Sequence, residues 1–246
     1  MFAPKLIKMN DKAFNIIGFT AKTFRYFPAS IGKQYWMGDD YVAHTEIDIP
    51  PGHSRYGGPV IDLPEGMTPP EGLEFAAQLD LAQFAPHDKS GLLPKSGQLI
   101  IFADISSDLG MVIYADVPND KLVRHIVEHE ENFWDGVLID RIYSDTETWQ
   151  ERFRDPEDEY EKEYANADGK LWADFGGHEK SKIFGIFTDC QIGEEAVKKM
   201  TNSSRVVLLQ VGENGFNDEG VFSVLIEKGD LMNRKFDDCE FYWSQS

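Results

Sequence analysis

The sequence has only two cysteines, Cys190 and Cys239, so it can form at most one disulfide. The two lie far apart and in no spacing typical of metal ligands, which favours free thiols in a reducing compartment. No apolar run is long enough to span a bilayer, and residues 1–9 lack the uninterrupted apolar stretch of a secretory signal. These absences predict a cytoplasmic protein without a membrane segment.

Positive charge is also scarce. The chain has 24 Lys and Arg against 43 Asp and Glu, for a formal net charge of −19. Because such a surface repels phosphates, no nucleic-acid partner is expected. A basic protein partner would instead be attracted, since opposite fields speed association. The alternative, that the charge serves only solubility, stays open at this point.

Motifs that mark common active sites are missing as well. The loop Gly57-Gly58-Pro59 is followed by neither a Lys-Ser/Thr pair nor a G-x-G-x-x-G pattern, so it is not expected to bind a nucleotide. There is no G-x-S-x-G elbow for a nucleophilic serine. Cys190 lies beside Asp189 and near His178, and an acidic environment does not activate a thiol. The sequence therefore predicts no catalytic residue and no cofactor.

What the chain does contain is a pattern that occurs twice. Each copy has an apolar run ending on Gln, a polar connection, a Gly and a second apolar run. The first copy covers residues 75–102, with Gln78 and Gly97, and the second covers residues 206–226, with Gln210 and Gly220. Each copy is typical of two strands joined by a connection, so the copies are expected to superpose as strand pairs.

Shorter signals predict further strands. Residues 41–49 are rich in β-branched side chains and stop at Pro50-Pro51-Gly52, which is typical of a strand ended by a breaker. The apolar segment 111–115 is expected to pair with the strand over residues 98–102. Residues 120–134 fit either one face of a helix or a strand.

Helices are predicted in a few short places. Residues 80–89 indicate a short helix or turn, and residues 194–200 a short helix with its apolar side chains inward. Ser144 to Glu147 fits a capping box, which predicts a helix starting there. The acidic run within residues 155–168 buries little and is expected to be the segment that proteases cut first.

A series of short segments, in order, carries a resemblance to a known family. They are Tyr56-Gly57-Gly58-Pro59, Ala77-Gln78-Leu79-Asp80-Leu81, Leu93-Pro94-Lys95-Ser96-Gly97-Gln98-Leu99, Lys182-Ile183-Phe184-Gly185 with Gln191, Leu208-Leu209-Gln210, and Asp218-Glu219-Gly220 with Asp230-Leu231. Together they resemble the YwqG-like family of uncharacterised bacterial proteins, from about Arg55 to the end of the chain. One departure is Leu63-Pro64, where family members often carry Trp-Pro.

The resemblance implies an α+β fold, mainly β, with a large mixed or antiparallel sheet and short helices at its edges. It implies one domain over residues 1–246, built on a duplicated unit at about residues 55–118 and 176–236. It supplies no reaction. Family members look like neighbours of accessory or immunity genes in bacterial toxin systems, which suggests a function by association only.

The sharpest metal-like pattern is H-x-x-E-H at His125, Glu128 and His129. On a helix, both histidines would reach one zinc ion, with the glutamate as base. The same residues also suit the solvated face of an amphipathic helix, and on a strand Glu128 would point away from both histidines. No downstream carboxylate on a second long helix completes the site, so no metal is predicted.

Five polar residues are candidates for a binding pocket between the two repeats. They are Gln78, Asp80, Gln191, Gln210 and Asp218. The alternative is structural, because a buried Gln can tie down loop backbone and an Asp beside a turn commonly accepts from local N–H groups.

Two functions follow from these patterns. The first is an interaction protein, not an enzyme, whose acidic surface meets a basic protein such as a toxin. The second is a small-molecule-binding protein or enzyme with a pocket between the repeats. A flat acidic face would favour the first function, and a deep polar pocket would favour the second.

Overall fold

The fold is dominated by strands. The structure, a computed structural model, describes residues 12–24, 26–28, 45–104, 107–127, 136–152, 180–189, 191–212 and 220–245. Its strands are β1 Phe14–Phe24, β2 Tyr26–Pro28, β3 Thr45–Ile47, β4 Arg55–Tyr56, β5 Val60–Pro64, β6 Glu74–Asp80, β7 Gln98–Asp104, β8 Leu109–Ala115, β9 Leu122–Ile126, β10 Val137–Glu147, β11 Lys182–Ile183, β12 Arg205–Val211, β13 Gly220–Glu227 and β14 Glu240–Gln245. Its α-helices are α1 Leu81–Phe84, α2 Trp149–Arg152, α3 Glu194–Thr201 and α4 Lys228–Met232.

Ten strands form one antiparallel sheet in the order β14-β13-β12-β11-β1-β10-β4-β6-β7-β8. The sheet curls into a nearly closed barrel, so that its two edge strands, β8 and β14, come to lie near each other. Gly110 on β8 lies against the ring of Phe241 on β14, where a larger residue would collide with it. Tyr114 stacks near Phe236, with ring centroids 5.5 Å apart. The expectation of a mainly β fold with a large antiparallel sheet and few short helices is confirmed.

Alternate residues of the strands point into the barrel. Leu79 on β6 and Leu99 on β7 share one apolar cluster with Leu209 on β12 and Val224 on β13, although these strands lie in opposite halves of the sheet. Because side chains on a strand alternate between faces, the residues between them lie on the outer face. Gln78 and Gln210 are such residues, and both are fully buried.

Two separate layers cover the outer face. Strands β5 and β9 form a two-stranded ribbon whose Ile61 and Leu63 pack on Phe102 of β7. In the other half, Phe187 and the partly buried Met200 of α3 pack on Leu225 of β13. The two Gln side chains therefore lie under different covers.

The two halves of the sheet, which we call arms, share several geometric features. The first arm is β4 and β6–β8, and the second is β11–β14. In both arms the Gln pairs with the residue three positions after a Gly: Gln78 with Ile100 after Gly97, and Gln210 with Ser223 after Gly220. Both Gln-bearing strands also shift register just before the Gln, between Phe75 and Ala77 and between Val207 and Leu209.

In each arm, the short strand that pairs with the Gln-bearing strand is alike too. Arg55 of β4 pairs with Gln78, and Lys182 of β11 pairs with Gln210. Each of these short strands leads into two residues with positive φ. These are Gly57 at 59° and Gly58 at 80° in the first arm, and Phe184 at 65° and Gly185 at 87° in the second.

The local predictions had mixed outcomes. The strand pairs predicted within residues 75–102 and 206–226, the pairing of β8 with β7 and the helix at residues 194–200 are confirmed. The helix start predicted at Ser144 to Glu147 is wrong, because these residues are the end of β10 and pair with β1. The cross-strand ladder outweighs the local capping pattern, and helix α2 begins only at Trp149.

Residues 122–126 form strand β9, which settles the choice between helix and strand there. Of the strand predicted at residues 41–49, the described part contains Thr45–Ile47. The acidic run at residues 155–168 lies outside the described residues. In the part of the chain that the structure describes, no helix is long and apolar enough to cross a bilayer.

Candidate functional site

The first arm contains a buried polar network centred on Asp62 of β5. Its Oδ2 atom accepts from Arg55 at 2.9 Å, and both the Arg55 and Asp62 side chains are fully buried. Arg124 of β9 donates to both carboxylate oxygens, at 2.8 and 3.0 Å, and the Gly52 N–H donates at 2.8 Å. Asp62 thus joins the ribbon to the barrel.

The charge of Asp62 is stabilised by these donors. Burial alone would raise the pKa of Asp62. The hydrogen bonds from Arg124, the charge of Arg55 and the bond from Gly52 outweigh burial, so the pKa lies below its ordinary value. Asp62 is therefore a structural anion rather than a proton donor at neutral pH.

Gln78 extends this network into the backbone. Its Oε1 atom accepts from Arg55 at 2.7 Å and from the Asp62 N–H at 3.1 Å, while its Nε2 atom donates to the Asp62 carbonyl at 3.1 Å. Nε2 also reaches Gln98 Oε1 at 3.2 Å, and Gln98 donates to Asn119 at 2.8 Å. The Gln78 side-chain amide bonds the backbone N–H and C=O of Asp62, as the backbone of a neighbouring strand would, and so holds β5 against β6.

Asp80 lies at the other end of the same chain of bonds. Asn119 donates to its Oδ2 atom at 3.0 Å, and the Ala82 N–H donates to its Oδ1 atom at 3.1 Å, which caps helix α1. The structure therefore brings Gln78 and Asp80 into one network through Gln98 and Asn119. Both carboxylate oxygens of Asp80 have donors, so nothing marks this group as a general acid or base.

The second arm buries a simpler ion pair. The Nζ atom of Lys182 lies 2.6 Å from both carboxylate oxygens of Glu147 and donates to the Ile186 carbonyl at 2.9 Å. Both side chains are buried. Burial lowers the pKa of Lys182, and the charge of Glu147 opposes that shift. The Ile186 N–H donates to Glu147, so the pair also anchors the turn that follows β11.

Gly185 makes this anchoring compatible with the turn. Its φ is 87°, a conformation that residues with a Cβ rarely adopt. A Cβ at this position would also collide with Glu147 and with Ile16 of β1. A glycine is therefore required by conformation and by space, directly above the buried ion pair.

A cleft of about 320 Å³ opens beside this turn, between the two arms. Its walls come from the start of β1, the segment after α1, the turn after β11 and the entry to β12. The lining residues are Lys12, Phe14, Asn15, Ile16, Ile17, His87, Asp88, Lys89, Ser90, Leu92, Phe184, Gly185, Thr201, Ser203, Ser204, Arg205, Val206 and Lys228.

The rim of the cleft is positively charged, although the chain as a whole is strongly acidic. Lys12, Lys89 and Lys228 are exposed there, and Arg205 is half-buried. Arg205 already pairs with Glu227 and Glu240. Among the described residues, neither Lys89 nor Lys228 has a carboxylate partner.

The carboxylate in the lining, Asp88, bonds to its own loop and forms no ion pair with the rim cations that the structure describes. Asp88 Oδ1 accepts from the Ser90 N–H at 2.8 Å, and Oδ2 accepts from the Leu93 N–H at 2.8 Å. The Ser90 hydroxyl donates to Oδ1 as well. Asp88 therefore shapes its own loop, and that loop presents Lys89 to the cleft.

The floor of the cleft is apolar. Ile16 and Ile17 are 1% exposed and Phe184 is 8% exposed. Leu92 and Val206 are partly buried beside them. Cationic side chains at the mouth and aliphatic and aromatic groups at the base can together hold an anion that has an apolar part.

The predicted site residues do not line this cleft. Gln78 and Asp80 belong to the first-arm network, and Gln210, in the second arm, donates to the Lys180 carbonyl at 2.8 Å. Gln191 is exposed, before helix α3, and Asp218 lies outside the described residues. The structure brings Gln78 and Asp80 together and places Gln210 under a separate cover.

Sequence reasoning missed the cleft because its cations are isolated in the sequence. Lys12, Lys89 and Lys228 belong to no charge run, and only the folding of the barrel brings them to one opening. The signal available was indirect: each is one of only 24 cationic residues in a chain with 43 acidic ones.

The described part of the H-x-x-E-H pattern is not helical. His125 is in strand β9, while Glu128 and His129 lie outside the described residues. Within the ranges that the structure describes, no group of His, Cys, Asp and Glu is arranged to hold a metal ion.

Comparison with known proteins gives a family but no activity. The model of a domain of unknown function, DUF1963, matches residues 54–244. No curated protein matches the chain. The matched range contains every side chain described for the two buried networks and every cleft wall except the start of β1. Since the match extends over more than half of the sequence, the chain belongs to the DUF1963 family.

Proposed function

We propose that this protein binds a small anionic molecule in the cleft between the two arms. The observation that carries the proposal is the convergence of Lys12, Lys89 and Lys228 on one opening in a chain of net charge −19. Like charges that line one cleft repel each other, so an anionic ligand would offset an electrostatic cost of this arrangement.

The cleft matches the alternative drawn from the sequence, a pocket between the repeats, better than the leading one. A pocket with several polar groups over an apolar base is the usual form of a small-molecule site. The residues in it differ from those predicted. For Gln78, Asp80 and Gln210 we propose a structural role, which their hydrogen bonds to backbone groups support.

A basic protein partner remains a second candidate, because the net charge of −19 favours it. Since the cations gather at the cleft, the surface elsewhere is more acidic than the average. This candidate predicts an association rate that falls steeply between low and physiological salt, with a smaller change in dissociation. Pull-down at the two salt concentrations tests it, and loss of every partner at physiological salt would contradict it.

The small-molecule proposal is tested by ligand retention. The purified protein is mixed with a metabolite extract, passed through a desalting column and denatured, and the released compounds are identified by mass spectrometry. The matched variants are Lys89→Gln/Lys228→Gln, which removes two rim cations, and Lys95→Gln, which removes an exposed cation outside the cleft. We expect the wild type and Lys95→Gln to retain anionic compounds that the double variant does not retain. Equal retention by all three proteins would contradict the proposal.

We also propose that the two arms are copies of one unit, within one domain. The shared pairing of Gln78 and Gln210, the shared register shifts and the paired positive-φ residues support this proposal. The ordered motifs support a finer placement in the YwqG-like family of bacterial proteins. Superposition of residues 55–115 on residues 182–245 in an experimental structure would test the duplication.

A further inference from the structure

We infer that the ligand of the cleft is an amphiphilic phosphate: a molecule with a phosphate group held by the lysines of the rim and an apolar body seated on the floor. The inference rests on the proposed function and narrows it to one chemical class and one orientation. It follows from where the charged and apolar groups lie and from which cations are free.

The first step is the kind of cation available. Arg205 is held by Glu227 and Glu240, so its planar fork is not free to grip a carboxylate. Among the described residues, Lys89 and Lys228 have no carboxylate partner. Lys12 makes a long hydrogen bond of 3.4 Å to Asn202, and its ammonium lies 4.5 Å from the centroid of the Phe14 ring, which also lines the cleft. Ammonium groups act as compact point charges and suit phosphate oxygens.

The second step is the amount of charge. A phosphate monoester carries about −1.5 to −2 at pH 7, because its second pKa is about 6. Three lysines around one opening match a dianion better than a monoanion such as a simple carboxylate. The net charge of −19 repels any anion, so the lysines at the cleft must attract the ligand strongly enough to overcome that repulsion.

The third step is orientation. The lysines are exposed at the rim, whereas Ile16, Ile17 and Phe184 are buried at the floor. A ligand that satisfies both enters with its apolar end first and keeps its phosphate at the mouth, where water completes the hydration of the oxygens. Hydroxyls of Ser204 and Thr201 also line the cleft and can donate to an anion there.

The test uses defined probes and protein labelled at isoleucine methyl groups. Phenyl phosphate carries both features, inorganic phosphate lacks the apolar body, and benzoate has the body with a single charge. Shifts of the Ile16 and Ile17 methyl resonances report the floor, and the methyl of Ile100, which is buried beneath the ribbon of β5 and β9 and does not line the cleft, is the internal control. Lys89→Gln/Lys228→Gln and Lys95→Gln are the matched variants, and thermal melting verifies that each is folded.

We expect phenyl phosphate to bind about tenfold more tightly than benzoate or inorganic phosphate, with shifts at Ile16 and Ile17. Its affinity should fall about tenfold from pH 7.5 to pH 5, as the dianion becomes a monoanion, whereas that of benzoate should not. The double variant should lose this preference and Lys95→Gln should keep it. Co-sedimentation with vesicles containing phosphatidic acid, abolished in the double variant, would assign the same phosphate to a lipid rather than to a soluble compound.

The failures are distinguishable. Benzoate binding as tightly as phenyl phosphate, with both lost in the double variant, would overturn the phosphate assignment and leave the anion-binding cleft in place. Inorganic phosphate equal to phenyl phosphate, with the floor methyls unmoved, would overturn the orientation. No lysine-dependent shift with any of the three anions would overturn both this inference and the proposed function.

Discussion

The two arms of the barrel bury a cation at matching positions and then surround it differently. In the first arm, Arg55 lies in a network with Asp62, Gln78 and Arg124, sealed beneath the ribbon of β5 and β9. In the second arm, Lys182 has one carboxylate partner, Glu147, below the floor of an open cleft. The strand pairing is shared, and the layer on top is not.

The difference indicates which parts of this fold serve stability and which leave room for a ligand. A ribbon with its own polar network closes the outer face of the first arm. In the second arm, Phe187 and helix α3 cover the outer face, and Phe184 and Gly185 of the turn after β11 line the cleft. The same strand arrangement therefore supports a sealed side and an open side.

The largest expected effect comes from breaking the first-arm network at Asp62. In Asp62→Asn the charge that balances Arg55 and Arg124 is removed, and a buried cation without its partner costs about 3–5 kcal/mol. Urea unfolding should show a loss of stability of that order. The comparison variant is Asp116→Asn, whose ion pair with Arg234 is exposed at the surface and should cost little. Equal losses would mean that the network does not hold the ribbon to the barrel.

The second-arm pair should respond differently when both partners are replaced. Lys182→Met alone leaves Glu147 buried without its cation, which is expected to cost about 3–5 kcal/mol. Adding Glu147→Leu should recover part of that loss, because a buried pair is often replaceable by apolar groups, although two backbone groups of Ile186 lose their partners. Arg55→Met/Asp62→Leu should recover much less, since Arg124, Gln78 and the Gly52 N–H would lose their partner. Similar recovery of stability in both arms would contradict the difference proposed between the first-arm network and the second-arm ion pair.

The glycine turn gives a sharper local test. Gly185→Ala meets both a positive φ and a collision with Glu147 and Ile16, so it should destabilise by several kcal/mol. Gly66 has a similar φ of 83° and open space where a Cβ would lie, so Gly66→Ala should cost only about 1 kcal/mol of backbone strain. Comparing the melting temperatures of the two variants distinguishes the cost of the steric collision from the cost of the positive φ. Equal melting temperatures would show that the turn does not press on the ion pair.

The smallest expected effect is the pH dependence of the first-arm network. The pKa of Asp62 in the folded protein lies below its unfolded value, so its stabilisation is fully present above the unfolded pKa of about 3.9. It is lost as the pH falls through the lower folded pKa. The stability difference between wild type and Asp62→Asn should therefore be constant from pH 7 to about 5 and shrink under more acidic conditions. A difference that grows on acidification would contradict the assignment.

Much of the architecture could be predicted from the sequence, because continuous apolar runs, with a glycine before the second run of each pair, mark β6, β7, β12 and β13. The sequence showed that Gln78 and Gln210 each end an apolar run, but their register against the next strand came only from the structure. The capping-box pattern at Ser144 to Glu147 misled, since a ladder to β1 formed by residues more than a hundred positions away outweighs a local signal.

The cleft could not be predicted for a similar reason. Lys12, Lys89 and Lys228 come from three distant places, and nothing local distinguishes them from other surface lysines. The burial of Lys182 was equally hidden, because its partner Glu147 lies 35 residues earlier on another strand. Sites assembled from single residues of separate strands become visible only once the sheet order is known.

The most direct test of the anion-binding cleft is a crystal structure of the protein grown with phenyl phosphate. The account predicts density for the phosphate within hydrogen-bond distance of the Lys89 and Lys228 ammonium groups, with the ring against Ile16 and Phe184. Density elsewhere on the surface, or a cleft that stays empty at a concentration that saturates binding in solution, would contradict it.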